Sequence, residues 1–290
     1  MMERITALDT LRRRVADWKG SGDVVALVPT MGNLHHGHLR LVEEAAALAD
    51  RVIVSVFVNP TQFGPDEDFA AYPRTLEADR RALARMPVDI LFTPGAETVY
   101  PEGTAQGTRV QVPALEGMLC ALARPGHFSG VATVVAKLFN MVGPDLATFG
   151  RKDYQQLLVV RHMVRDLCMR VRIVGVETVR DADGLALSSR NGYLSPEQRR
   201  VAPRLNAVLR EIAGELAAGR RDFAALEERA QGELRDVGMD PDYVSIRRPE
   251  DLQRPMSGDC DFVVLGAARL GPTRLIDNVA VEQGTDTCRT

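Results

Sequence analysis

The chain of 290 residues is 45% hydrophobic and 26% charged, with 36 basic and 39 acidic residues and a formal net charge of -3. That composition excludes a disordered chain, and the even balance of charge offers no broad electrostatic footprint for nucleic acid or an anionic membrane surface. At roughly 150 residues per domain the length indicates two domains, and a small ligand becomes the natural partner.

In chain order, the first half alternates short apolar runs with helical patterns: strands over 24–28, 52–58 and 88–92, with helices over 39–49 and 76–86 between them. The run Val52-Ile53-Val54-Ser55-Val56-Phe57-Val58 is almost continuously apolar and rich in β-branched residues, as expected of a parallel-sheet strand buried on both faces. A helix over 131–141, a strand over 146–149, a helix over 154–168 and a strand over 172–176 extend the alternation. The pattern predicts an α/β fold, a doubly wound Rossmann-like parallel sheet over 1–176, whose ligands bind outside the carboxyl ends of the strands. Near residue 177 the chain turns polar, with Asp181-Ala182-Asp183-Gly184, and a domain boundary belongs there. Ser195-Pro196-Glu197-Gln198 then reads as a helix start with a capping box. Helices over 197–218 and 223–237 and strands over 243–246, 261–267 and 273–276 predict a smaller C-terminal α+β domain over 177–283, acting as a lid. Residues 284–290 are expected to form a frayed tail.

Cys120, Cys168, Cys260 and Cys288 are scattered, with no C-x-x-C pair and no neighbouring histidine, so neither a zinc site nor a disulfide framework is indicated. Free thiols fit a reducing compartment. Residues 1–7 lack the layout of a signal peptide, and no apolar run approaches the ~20 residues of a membrane helix, so a cytoplasmic location is expected.

The sharpest motif is Pro29-Thr30-Met31-Gly32-Asn33-Leu34-His35-His36-Gly37-His38, which follows the first strand and leads into a helix. His35 and His38 share a face at the helix start, where unpaired N–H groups and the helix dipole favour a phosphate. Gly32 and Gly37 allow close backbone approach to a nucleotide. Two imidazoles aimed at the same oxygens can donate to phosphate charge that grows in a transition state, so His38 and His35 are the catalytic candidates. Asn59-Pro60-Thr61-Gln62-Phe63 lies after the second strand, where a doubly wound sheet presents binding loops. Gly150-Arg151-Lys152-Asp153-Tyr154-Gln155-Gln156 opens another helix and is a second phosphate-binding candidate, with Lys152 as a point charge and Asp153 to orient it. Leu187-Ser188-Ser189-Arg190-Asn191 offers two hydroxyls and a guanidinium to phosphate oxygens.

The H-x-G-H element on an α/β fold resembles the nucleotidylyltransferase superfamily, and the longer P-T-M-G-x-L-H-x-G-H resembles the pantothenate synthetase family in particular, with further matches along almost the whole chain. The resemblance implies ATP-dependent joining of pantoate to β-alanine through a pantoyl adenylate, with release of pyrophosphate and AMP and with Mg2+ accompanying the phosphates. It makes Gln62 and Gln156 ligands of pantoate, and Gln62 a ligand of β-alanine as well. It places ATP on Met31, Gly32, His35, Gly37, His38, Gly150, Arg151, Lys152, Asp153, Leu187, Ser188, Ser189 and Arg190, with the backbone of Val179 near the adenine. No protein metal ligand is expected, and the resemblance implies a homodimer. Arg124-Pro125-Gly126-His127-Phe128-Ser129-Gly130 also matches the family, without a role that the sequence assigns.

Three departures stand out: Arg151 where the family usually has Glu, His36 where an acid is common, and Ala121-Leu122-Ala123 in place of a glycine-bearing stretch. The first two add positive charge, or the capacity for it, near the proposed phosphates. The rival readings are a cytidylyl- or adenylyltransferase that keeps the nucleotide in its product, a class I aminoacyl-tRNA synthetase-like protein, and a nucleotide-sensing module without turnover. Free AMP as product separates the first. The second lacks the length for an anticodon-binding domain and the basic balance for tRNA, and the intact Gln62 and Gln156 argue against the third.

Overall fold

The computed structural model describes residues 2–65 and 67–281; Cys288 and the expected frayed tail at 284–290 lie outside the described residues. The chain divides into two compact units, one formed by the residues up to Arg151 together with Gln156–Glu177, the other by Lys152–Gln155 with the chain from Thr178 onward.

The first unit runs β1 (Glu3–Ile5), α1 (Leu8–Gly20), β2 (Val25–Thr30), α2 (His36–Leu48), β3 (Arg51–Val56), α3 (Leu76–Leu83) and β4 (Ile90–Phe92). Three short helices follow, α4 (Ala96–Val99), α5 (Gly103–Gln106) and α6 (Cys120–Ala123), then α7 (His127–Val142), β5 (Leu146–Gly150), α8 (Tyr154–Asp166) and β6 (Arg172–Val176). The six strands form one parallel sheet in the order β1-β4-β3-β2-β5-β6. From β2 the chain winds outward through β3 and β4; from its neighbour β5 it winds the other way to β6. The order therefore reverses between β2 and β5, and the loops after these two strands flank the crevice where a doubly wound sheet takes its ligands.

Burial follows the sequence pattern. Val25, Ala26, Leu27 and Val28 of β2 are all fully buried, which a parallel strand covered on both faces requires. Alternate residues Ala26, Val28, Val52 and Val54 pack on Val42 and Ala45 of α2 and Leu83 of α3, while α1 and α7 cover the opposite face. Each valine and leucine of this set contributes about 1.5–3 kcal/mol of transfer free energy, and the alanines less. Acids mark the amino ends of the strands, away from the ligand side: Asp145 accepts the Val25 N–H at 2.8 Å and the Lys19 ammonium at 2.8 Å. Burial pushes the Asp145 carboxyl up, but these two donors outweigh it and hold the group below the usual carboxylate range.

The second unit holds α9 (Pro196–Val201), α10 (Arg204–Ala217) and α11 (Phe223–Asp236), with an antiparallel sheet in the order β7 (Asp240–Arg247), β8 (Phe262–Leu270), β9 (Thr273–Val281). Leu205, Leu209, Ile212 and Leu216 of α10 join Leu226, Ala230 and Leu234 of α11 over Val244, Ile246, Phe262 and Val264. Gly266 of β8 lets α10 approach, since a Cβ there would stand 3.0 Å from a Leu205 methyl and 3.1 Å from one of Leu209.

The strands and helices expected from the sequence are present, with four corrections. β1 and α1 had no signal: β1 has three residues, and α1 buries only Leu11 and Val15 on an otherwise charged helix. The helix expected over 131–141 begins at His127, directly after Gly126 in the left-handed region, because its first turn buries polar residues that mask the apolar period. The helix expected over 197–218 is broken at Ala202 and Pro203 into α9 and α10; proline supplies no N–H to continue the first segment. Cys120 and Cys168 are free thiols, but Cys260 is disulfide-bonded, so the expectation of free thiols fails there. Among the described residues, no helix is long and apolar enough to cross a membrane.

Candidate active site

At the carboxyl end of β2 the chain makes a tight passage into α2. Gly32 adopts a φ of +82°, and a Cβ there would lie 3.0 Å from both an Asp79 carboxylate oxygen and a Val56 methyl, so glycine is required. Asn33 also takes a positive φ of 51°. Asp79, on α3 and 2% exposed, clamps this passage: its carboxylate accepts the N–H of Asn33 at 3.1 Å and of Leu34 at 2.8 Å. The Thr75 hydroxyl donates to the same carboxylate at 3.3 Å.

The two histidines close the helix start. His35 is the N-cap of α2, and its Nδ1 accepts the Gly37 N–H at 3.1 Å. His38 stands at the third helical position, and its Nδ1 accepts the His35 N–H at 3.3 Å. The pair thus forms a capping box made of imidazoles rather than of a hydroxyl and a carboxylate. Because each Nδ1 accepts, the proton of each ring sits on Nε2. The ring centroids are 4.1 Å apart. One helix tip accordingly carries two oriented Nε2–H donors beside its own N-terminal dipole, an arrangement suited to an anion and to charge developing on phosphate oxygen. His36, the first helical residue, is exposed.

Gln62 ends a short 3-10 turn, Pro60–Gln62, after β3, and is 8% exposed. Its Oε1 accepts from Asn59 Nδ2 at 3.0 Å and its Nε2 donates to Met31 Sδ at 3.1 Å, which brings Gln62 and Met31 together and fixes which way the amide faces. Asn59, 1% exposed, also donates to the Gly130 carbonyl at 3.1 Å and accepts from the Tyr100 hydroxyl at 2.7 Å. Burial pushes the Tyr100 phenol up, more than its hydrogen bond with Thr61 lowers it, so the hydroxyl stays a donor. Gly150 closes β5, Arg151 pairs with Glu177 at 2.7 Å, and Gln156 is half-buried in the first turn of α8.

In the second unit Lys152 lies 3.8 Å from the Asp153 carboxylate, and its carbonyl accepts from Asn278 Nδ2 at 2.9 Å. The segment 179–187 folds back on itself: the Leu187 N–H donates to the Val179 carbonyl at 3.0 Å, and Arg180 bridges to Ala186. Asp277, 5% exposed, holds this hairpin by a two-pronged pair with Arg180 at 2.6 and 2.9 Å, reinforced by Asn206 Nδ2 at 3.0 Å. Ser188 caps the 3-10 turn Ser189–Tyr193, its Oγ accepting the Arg190 N–H at 3.3 Å. Ser189 and Arg190 are half-buried beside it.

The model of the family described as pantoate-beta-alanine ligase matches residues 3–280. The chain belongs to the pantoate-beta-alanine ligase family. It is an ATP-using enzyme that forms pantothenate from pantoate and β-alanine. Pantothenate synthetases from Halorhodospira halophila and Thioalkalivibrio sulfidiphilus are 56% and 54% identical to it, covering 96% and 97% of the chain and 98% of each relative. A crystal structure of pantothenate synthetase from Thermus thermophilus aligns over 97% of this chain and 100% of that one, with a TM-score of 0.89 and 48% identity. The pantoate-beta-alanine ligase of Francisella tularensis, solved in complex with β-γ ATP and β-alanine, aligns over 98% and 99% at a TM-score of 0.80 and 31% identity.

Sequence reasoning on this ligase missed two residues that act through others, Asp79 and Asp277, and gave Asn59, though within a quoted motif, no role of its own. Asp79 had one legible sign, an acid on the apolar face shared by Leu76 and Leu83, three and four residues away. Asp277 had none, because its partner Arg180 is almost a hundred residues distant in the chain.

Proposed function

We propose that the enzyme works through a pantoyl adenylate. A carboxylate oxygen of pantoate attacks the α-phosphorus of ATP, the bond from that phosphorus to its bridging oxygen breaks, and pyrophosphate leaves. The amine of β-alanine then attacks the acyl carbon, the C–O bond to the phosphate breaks, AMP leaves, and the amine proton passes to solvent. The observation that carries this reading is the capping pair at α2, whose Nδ1 atoms are both committed to backbone N–H groups, which leaves the Nε2 protons as the donors. Adenylation asks little acid–base chemistry of a protein, since the carboxylate is already ionised; the work is positioning and charge stabilisation.

In this reading His38 donates to the α-phosphate and His35 assists, while Met31, Gly32, Gly37 and Gly150 admit the nucleotide closely. Arg151, Lys152, Asp153, Leu187, Ser188, Ser189 and Arg190 serve the phosphates, and the Val179 backbone serves the adenine. Gln62 and Gln156 hold pantoate, and Gln62 also β-alanine. The complex of the Francisella relative with β-γ ATP and β-alanine supports the nucleotide and β-alanine as ligands. Mg2+ belongs to the proposal as part of the MgATP substrate, since it keeps several waters and binds phosphate oxygens readily. The bounds of a nucleotide- and pantoate-binding domain over 1–176 and a lid domain over 177–283 rest on the change of sequence pattern near residue 177, the cytoplasmic location on the same reading of the sequence, and the homodimer on the family resemblance.

Product analysis with ATP, Mg2+, pantoate and β-alanine, each left out in turn, tests the proposal. Exchange of labelled pyrophosphate into ATP should require pantoate and not β-alanine, and AMP should accumulate with pantothenate when all are present. Absence of exchange until β-alanine is added would overturn the adenylate.

A further inference from the structure

The motif Arg124-Pro125-Gly126-His127-Phe128-Ser129-Gly130 meets the Gln62 turn from behind. His127, the first residue of α7 and 9% exposed, places Nδ1 2.8 Å from the Gln62 carbonyl oxygen. Its Nε2 is 3.0 Å from Nη1 of Arg124. A guanidinium only donates, so Nε2 is the acceptor and the proton sits on Nδ1, the opposite tautomer to that of His35 and His38. Nδ1–H therefore donates to the Gln62 carbonyl, one of the end-of-turn acceptors that a short helix leaves unpaired. Arg124 is itself held by Glu67, to which its Nε and Nη2 both donate at 2.6 Å, and its Nη2 also reaches the Gln62 carbonyl at 3.4 Å.

One turn further along α7, Gly130 lies against the same segment. A Cβ there would stand 2.5 Å from the Thr61 carbonyl carbon and 2.7 Å from the Gln62 Cα, distances at which backbone must move. The Gly130 carbonyl accepts from Asn59 Nδ2, the group that also donates to Gln62 Oε1. The start of α7 thus grips Gln62 at both ends, the main-chain carbonyl through His127 and the side-chain amide through Asn59.

We infer that Arg124 and His127 are positioning residues for pantoate binding: the relay Glu67–Arg124–His127 fixes the Gln62 main chain against Gly130, so that the Gln62 amide is held where pantoate must meet it. The inference rests on the assignment of Gln62 to pantoate. Neither side chain is required to touch substrate, and a displacement of the amide by about 1 Å suffices to weaken a bound geometry strongly.

The test separates the relay from a merely structural role and from the Gln62 assignment. KM for pantoate and KM for ATP are measured for Gln62→Ala, His127→Leu, His127→Asn and Arg124→Met, and for the double variant Gln62→Ala with His127→Leu. The amide nitrogen of Asn can occupy the place of Nδ1, so His127→Asn keeps the donor to the Gln62 carbonyl while His127→Leu removes it. We expect His127→Leu and Arg124→Met to raise KM for pantoate at least about tenfold, with KM for ATP within about twofold of the parent, and His127→Asn to recover most of the loss. In the Gln62→Ala background His127→Leu should add little, since the two act as a unit. If Gln62→Ala leaves KM for pantoate unchanged, the Gln62 assignment fails. If Gln62→Ala raises it but the relay variants do not, or raise both KM values alike, the relay fails. Should His127→Leu not fold, Arg124→Met and His127→Asn decide the matter by the same split.

Discussion

Replacing Asp79 by Asn probes how the fold holds the histidine-bearing passage. The native carboxylate accepts two backbone N–H groups, from Asn33 and Leu34, and the Thr75 hydroxyl, at a position 2% exposed to solvent. Asparagine keeps the shape but has a single acceptor oxygen; its amide N–H groups face one of the two backbone donors. A hydrogen bond to a charged group is worth about 1.5–3 kcal/mol, and the donor left without an acceptor adds a desolvation cost of about 1–3 kcal/mol, so a loss of about 3 kcal/mol is expected. At about 2–4 °C per kcal/mol for a unit of this size, its melting transition should fall by about 6–12 °C. Gly32 has no room to adjust, since the space beside it is occupied by Asp79 and Val56. The histidines should then lose register, and kcat/KM for ATP should fall about a hundredfold even at temperatures where the variant is folded. Calorimetry and steady-state kinetics on the same preparation read both effects. A variant that melts within about 2 °C of the parent and keeps kcat/KM within about twofold would refute the clamp.

Two further outcomes follow from buried charge. Burial raises the Glu67 carboxyl, but the pair with Arg124 outweighs it and leaves the group below its ordinary value of 4.5. A depressed folded pKa means that the contribution to stability is complete above about pH 4.5 and is lost as pH falls through the folded value. Glu67→Gln should therefore be less stable than the parent at pH 7, and the two should converge in acid; a gap in denaturant midpoint that persists unchanged at low pH would contradict the pairing. Asp277→Asn leaves Arg180 facing a neutral amide in a site where the acid side chain is 3% exposed. Breaking such a buried pair costs about 3–5 kcal/mol, so the second unit should melt earlier and KM for ATP should rise; unchanged melting would show that Arg180 is held by other means.

Much of the fold is written in local pattern. The continuous apolar runs at β2 and β3 can only be strands covered on both sides, and Ser195 with Gln198 forms the capping box that the sequence spells out, with bonds of 2.9 and 3.2 Å. The histidine motif is equally local, since three residues of separation at a helix start suffice to make a pair. What the sequence hides is action at a distance. Asp79 serves residues about 45 positions earlier, and the Arg124–His127 relay serves a turn over 60 positions away; neither spacing has a period to read. The tautomers were hidden as well, because they depend on which backbone N–H each ring nitrogen meets.

The central claim is that the Nε2–H of His38 stabilises the phosphate at the moment the adenylate forms. Single-turnover formation of pantoyl adenylate from MgATP and pantoate, without β-alanine, measures that step alone. His38→Ala should slow it by about 10²- to 10³-fold, the usual loss for one transition-state donor, while the melting temperature falls only by the few degrees, about 2–4 °C, that a lost cap costs. A single-turnover rate equal to that of the parent would contradict the account.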